Sequence, residues 1–181
     1  QEGRQVWVMN AAGGEARQIT KSPKGVTDFG WSPASDRLVF CADVDPDRSQ
    51  DPAARGPQVP QVTIVSRVRY RYDTLGWRGD AHFHLFVADI GAGEAAQITY
   101  GDWDDTTPAW SPDGSRIAFI SGRRDDRDLR SLSEVYVMSA DGGEPGLWSQ
   151  GLYSVGAVSW SPDSQRLMVV GSDAPEGTVL W

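Results

Sequence analysis

Few residues in this chain have the type and spacing to do chemistry. His82 and His84 are the only histidines. Two apart on a strand, they share a face, and that would permit a common metal ion. Asp80 is the one nearby acid that could join them. The plainer expectation is two strand-start histidines that pack on a neighbour or face water, so no metal ligand is assigned. Asp102-Trp103-Asp104-Asp105 is an acidic turn. Calcium takes about six to eight oxygens, and this turn could offer some of them; a plain connection between repeats is the expected role. Arg67, Arg69 and Arg71 alternate with Val68, Tyr70 and Tyr72. That pattern gives a strand one basic and one apolar face. Arginine forks match carboxylates, whether from a peptide end, a neighbouring domain or the protein's own acidic loops, and the last is expected. Cys41 is the sole cysteine, so an internal disulfide is excluded. In Leu38-Val39-Phe40-Cys41-Ala42 it reads as a small buried apolar side chain.

Catalytic constellations are missing from the sequence. A serine-hydrolase nucleophile elbow would read Gly-x-Ser-x-Gly, and no such pentapeptide occurs. Gly151-Leu152-Tyr153-Ser154-Val155-Gly156 comes closest, with one residue too many before the serine. There is no phosphate-binding Gly-rich loop ending in Lys, no His-Glu-x-x-His and no cysteine pair. No catalytic residue, metal ligand or cofactor is assigned, and the substrate-contacting residues are unknown at this level.

The elements that must position these side chains repeat. Trp-Ser-Pro begins at Trp31, Trp110 and Trp160, with spacings of 110 − 31 = 79 and 160 − 110 = 50. The short alternating runs around Trp7, Phe86 and Tyr136 keep the same offsets, 86 − 7 = 79 and 136 − 86 = 50. Glu15, Glu94 and Glu144, each after a glycine, keep them again. Each Trp-Ser-Pro closes one apolar run, enters a turn and leads into a second run, such as Ile117-Ala118-Phe119-Ile120. Proline fixes φ, aspartate bonds the backbone ahead of it, and glycine accepts a positive φ. The second run is apolar at every position, as suits a strand covered on both faces.

One unit therefore holds four short strands in about 50 residues, which is the period of propeller blades. The fold expected is all-β, a partial β-propeller of about three and a half four-stranded antiparallel blades. The divisions are a partial blade over 1–22, a blade over 26–101 with an insertion at about 43–80, a blade over 106–149 and a partial blade over 155–181. In the insertion, the Arg-Tyr alternation is expected to form a strand or hairpin with the segment after Gly76. Thr178-Val179-Leu180-Trp181 is expected as a third strand of the last unit. Arg123–Arg130 mixes charges of both signs, so a solvated loop with weak ion pairs is expected. Eight Trp, 20 Gly and 11 Pro in 181 residues suit many short strands and turns. A net charge of −8 without a basic cluster argues against a nucleic-acid partner, and no apolar run approaches the ~20 residues of a membrane span.

Trp110-Ser111-Pro112-Asp113-Gly114-Ser115-Arg116-Ile117-Ala118-Phe119, with Val135-Tyr136-Val137-Met138 and Gly142-Gly143-Glu144, resembles the repeats of TolB-like propellers. Arg69-Tyr70-Arg71-Tyr72-Asp73, Gly76-Trp77-Arg78-Gly79, His84-Leu85-Phe86-Val87 and Gln97–Asp105 narrow the likeness. These look like the propeller of prolyl oligopeptidase-family serine peptidases, with the acylaminoacyl-peptidase branch the nearest fit. The resemblance covers almost the whole chain. It implies a propeller seated on an α/β-hydrolase domain that carries a Ser-Asp-His triad, with the propeller limiting entry to short peptides.

That resemblance makes the chain a non-catalytic gate, inactive alone, within a cytoplasmic peptidase acting on oligopeptides or acyl-amino-acid peptides. The expected partners are the hydrolase domain, the peptide substrates and a second copy paired through the half blades. The alternative is a TolB-like interaction module with no enzyme attached. The Arg-Tyr-Arg-Tyr insertion favours the peptidase reading.

Overall fold

The computed structural model describes residues 3–46, 65, 68, 71, 72 and 76–175. Among them there is no helix. Two short strands, β1 (Trp7–Val8) and β2 (Arg17–Gln18), form the first antiparallel pair. The second sheet is a four-stranded meander of β3 (Val26–Trp31), β4 (Arg37–Val44), β7 (His82–Asp89) and β8 (Ala95–Gln97). Between β4 and β7, β5 (Arg71–Tyr72) pairs with β6 (Gly76–Trp77), so the expected hairpin of the insertion is present. The third sheet repeats the meander with β9 (Asp105–Trp110), β10 (Arg116–Ser121), β11 (Glu134–Ser139) and β12 (Gly146–Leu147). A final pair joins β13 (Tyr153–Trp160) to β14 (Leu167–Ser172). The strand expected over Thr178–Trp181 lies outside the described residues, as do Arg67 and Arg69.

The Trp-Ser-Pro turns show why the repeat needs its serine. Ser32, Ser111 and Ser161 each use the backbone twice: the N–H donates to the carbonyl of Arg37, Arg116 or Arg166, and the turn that follows closes on the serine carbonyl. Each serine hydroxyl oxygen then accepts the N–H of the same arginine, at 3.0, 2.9 and 2.9 Å. Gly114 follows with φ 73°, as the turn requires, and Ser35 and Ser164 hold the same place at φ 59°. A side chain is strained in that left-handed region.

Apolar cores lie between the sheets rather than within one layer. Each central strand divides its side chains between two neighbours. Leu38 and Phe40 of β4 pack with Val6 and Ile19 of the first pair. Val39 and Cys41 of the same strand pack with Ile117 and Phe119 of the third sheet. Ala118 and Ile120 of β10 then meet Val155, with Leu167 and Val169 packed against them. Phe119, Leu38, Leu85, Ile117 and Val39 are almost wholly excluded from water. Each such side chain contributes about 1.5–3 kcal/mol by burial, and it contributes only while the adjacent sheet is present.

Candidate functional site

The strands leave a cleft at one end of the seam between the two four-stranded sheets. It lies where β7 and β9 begin and β10 ends, beside the connections that leave those strands. Its volume is about 240 Å³, and its wall includes Arg78, His82, Asp102, Asp104, Arg127 and Ser133. The Trp-Ser-Pro turns are at the other end of the strands. The insertion after β4 departs from the cleft end.

The acidic turn supplies one wall, and each of its carboxylates is matched by a cation. Asp102 accepts from Nη2 of Arg127 at 2.6 Å, and its carbonyl accepts from Nε of the same arginine at 2.8 Å. His82 stands between the two outer acids, with Nε2 3.0 Å from Asp102 and Nδ1 3.5 Å from Asp104. Arg78 bridges Asp104 at 3.1 Å and Asp43 at 2.9 Å, and its guanidinium lies 4.1 Å over the Phe83 ring. Lys24 completes the pairing of Asp43 at 2.7 Å. Burial pushes the Asp104 carboxyl up. The His82 hydrogen bond, the Arg78 charge and the Phe83 N–H outweigh it, and Asp104 titrates below the ordinary carboxylate value.

Asp105, wholly buried, is the deepest of the four positions. It accepts from Arg123 at 2.9 Å and lies 3.4 Å from Nδ1 of His84. The Arg123 guanidinium is enclosed by the rings of Trp103, Phe119 and Tyr136, 4.9, 5.3 and 4.8 Å away. Cys41 reaches the Asp105 carbonyl at 3.3 Å, and burial pushes its thiol up to about 12. Cys41 is thus the small buried side chain its strand predicted.

The two histidines do lie on one strand, yet each faces a different carboxylate already held by an arginine. The acidic turn is a connection between repeats whose charges are neutralised by protein groups. Among the described residues, no group of three or more His, Cys, Asp or Glu side chains is arranged to hold a metal ion. Asp80 sits in an exposed turn, and Arg71 is exposed in the insertion hairpin. The loop from Arg123 to Arg130 departs from expectation. Arg124 and Arg130 make half-exposed pairs with Asp126, but Arg123 and Arg127 turn inward to the acidic turn. Arg78 and Arg127 line the cleft and Arg123 holds the buried Asp105, and sequence reasoning did not single them out. The four-residue acidic turn was the available signal, since buried acids demand cations.

A charged cleft of this kind can hold a polar or zwitterionic group, such as part of a peptide. Among the described residues, the histidines and two of the serines at the cleft are engaged by other protein groups. The histidines face carboxylates, Ser133 donates to the Val155 carbonyl, and Ser121 accepts from Arg123.

Consecutive four-stranded antiparallel meanders, packed face to face and flanked among the described residues by two strand pairs that follow the same repeat, make this chain part of a β-propeller. Solved structures share that fold. An acylaminoacyl peptidase from Pyrococcus horikoshii matches 93% of this chain, over 25% of its own length, with a TM-score of 0.64 and 17% identity. A TolB candidate from Agrobacterium tumefaciens matches 94% of the chain, over 47% of its own, at 0.59 and 20%. By sequence the chain is similar to peptidases. The uncharacterized peptidase YuxL of Bacillus subtilis is 28% identical over 138 residues, 76% of this chain. Dipeptidyl-peptidase 5 of Porphyromonas gingivalis is 27% identical over 172 residues, 93% of this chain. The chain spans 21% of the length of each of these curated relatives. No protein-family model matches it. The resemblance to peptidase propellers drawn from the repeat and the insertion therefore agrees with both comparisons.

Proposed function

We propose that this chain is the non-catalytic propeller portion of a prolyl oligopeptidase-family serine peptidase, where it gates access to a separate α/β-hydrolase domain. The observation that carries the reading is sequence similarity to two peptidases across a chain whose described residues form propeller strands and turns and whose sequence has no nucleophile elbow. The work assigned to it is steric and electrostatic: to exclude folded proteins and admit oligopeptides or acyl-amino-acid peptides. The cleft beside the insertion is the candidate contact for a peptide's charged ends, because it presents arginines and carboxylates together. Pairing with a second copy is part of the same reading. A TolB-type interaction module would share the fold but carry no hydrolase domain, and the peptidase relatives weigh for the first reading.

The test is a hydrolase assay with acyl-amino-acid and peptide chromogens on this chain and on the reading frame that contains it. The chain alone is expected to give no turnover. The longer protein is expected to contain a Gly-x-Ser-x-Gly segment and to hydrolyse the same substrates. Turnover by the isolated chain, or a longer protein without a nucleophilic serine, would overturn the proposal.

A further inference from the structure

The cleft has two walls, and its arginines are not equally committed to them. One wall is the acidic turn with Arg78 and His82. The other is the connection from Gly122 to Ser133, which brings Arg127 and Arg130 to the cleft. The base of that connection is narrow. A Cβ at Gly122 would lie 2.6 Å from the Leu132 carbonyl oxygen, so the two backbones meet there. Above the base, the Arg127 N–H donates to the Arg124 carbonyl at 3.1 Å and the Arg130 N–H to the Asp126 carbonyl at 3.0 Å. Loops that close at the neck and bond within themselves are frequently functional. Here the bonds set the backbone that carries both arginines.

Taking an arginine from a buried acid is costly, because the acid is left charged away from water. The side chain of Arg78 is 5% exposed and bridges Asp43 and Asp104. That of Arg123 is 10% exposed and holds Asp105, which is wholly buried. Arg127 differs. Its side chain is 27% exposed, and that of its partner Asp102 is 40% exposed. Asp102 also lies 3.0 Å from Nε2 of His82, a contact that stays in place when Arg127 leaves. Arg130, 48% exposed, is held at 3.3 Å by Asp126 of its own loop and at 3.3 Å by the Pro175 carbonyl. Pairs as exposed as this are weak. Arg127 and Arg130 are therefore the cleft arginines that can change partner without leaving a buried charge alone.

The contact Arg127 makes within the protein shows what it would accept from a ligand. Nη2 donates to the Asp102 carboxylate at 2.6 Å and Nε to the Asp102 carbonyl at 2.8 Å. Two oxygens of one residue thus occupy the edge of the guanidinium that a single carboxylate takes bidentately. Nη1 donates to the Arg124 carbonyl at 3.2 Å, inside the loop, so the guanidinium keeps its place while that edge is exchanged. We propose that this edge of Arg127, with Arg130 beside it, receives the C-terminal carboxylate of a short peptide, and that Asp102 is the internal group the peptide displaces. At about 240 Å³ the cleft is smaller than the ~300 Å³ at which ligand pockets begin, so it suits the end of a peptide and not its length. The inference rests on the reading of this cleft as a peptide contact and names the end that it takes.

Calorimetric titration of the full protein that contains this chain tests it, at low ionic strength, where charge pairs are least screened. Three small probes are compared. N-acetylglycine carries a terminal carboxylate, N-acetylglycinamide carries none, and N-acetylglutamate α-amide carries its carboxylate on the side chain. N-acetylglycine is expected to bind about tenfold more tightly than its amide, the effect of one charge-assisted pair. R127Q is expected to remove that preference. D102N is expected to raise the affinity for N-acetylglycine severalfold, because the internal competitor loses its charge. Damage to the loop would weaken binding in both variants, so the opposite signs separate a ligand contact from structural support. Heat of binding is read without turnover. A full protein that hydrolyses no peptide would therefore sink the peptidase reading while the acid-over-amide preference still supported this one. Equal affinity for acid and amide, a preference that survives R127Q, weaker binding by D102N, or tighter binding of the glutamate probe than of N-acetylglycine would overturn the proposal.

Discussion

Ser32, Ser111 and Ser161 show how single residues set this fold. Each hydroxyl accepts an arginine N–H and donates to an aspartate. Ser111 and Ser161 donate to Asp113 and Asp163 within the turn, and Ser32 donates to Asp36, because Ala34 holds the position where the other two repeats have the acid. That hydrogen bond, with two more from Ser115, holds the Asp113 carboxyl down at about 2. Its folded value lies below the ordinary one, so the charged form stabilises the fold above about pH 4, and the benefit is lost as pH falls toward 2. Asp36 and Asp163 are lowered for the same first cause. Melting temperature is expected to fall over that window, and D113N to show a shallower fall. Ser35 is exposed at φ 59° with no need of its Cβ. S35G is expected to raise stability by up to about 1 kcal/mol in urea titration, because glycine is unstrained there. The Cys41 thiol, buried and pushed up to about 12, is expected to resist a disulfide-exchange reagent in the native chain and to react fully in denaturant.

At the scale of elements, the seam between the two four-stranded sheets is held by charge as well as by apolar packing. Asp105, Arg123 and His84 are enclosed together, and the two chain segments that carry the acid and the arginine meet there. Removing one partner strands the other away from water. D105A is therefore expected to cost about 3–5 kcal/mol in chemical denaturation; a loss under about 1 kcal/mol would show that Arg123 finds water when released. Strand identity and order were legible in the sequence because apolar alternation and turn chemistry are local. The Trp-Ser-Pro turns and the runs after them fall where the repeat placed them. The inward turn of Arg123 and Arg127 was not legible. Local charge alternation looks alike whether a loop is solvated or folded onto a neighbour, and the partner, Asp102 or Asp105, is about 20 residues away in the chain. The bridge from Arg78 to Asp43 escaped for the same reason, since it spans the insertion.

For the molecule as a whole, the same cause makes sheets interdependent and the propeller recognisable. A strand such as β4, with Leu38 and Phe40 on one side and Val39 and Cys41 on the other, has no solvent face, so each sheet needs two neighbours. Three recitals of one phrase at offsets of 79 and 50 carried that requirement into the sequence, which is why the architecture could be read without coordinates. The cleft could not be read, because its walls come from four separated segments. A propeller scaffold also leaves its role open, since the fold alone would serve a peptidase gate and an interaction module equally well. The sequence likeness to peptidases weighs for the proposed gate.

The most direct test of a gate without its own nucleophile is labelling with a fluorophosphonate probe for activated serines, applied side by side to this chain and to the full protein encoded around it. A strong label is expected on the full protein, on a serine outside these 181 residues, and none on the isolated chain. A label on the isolated chain, or an unlabelled full protein of confirmed fold, would contradict the peptidase-gate reading.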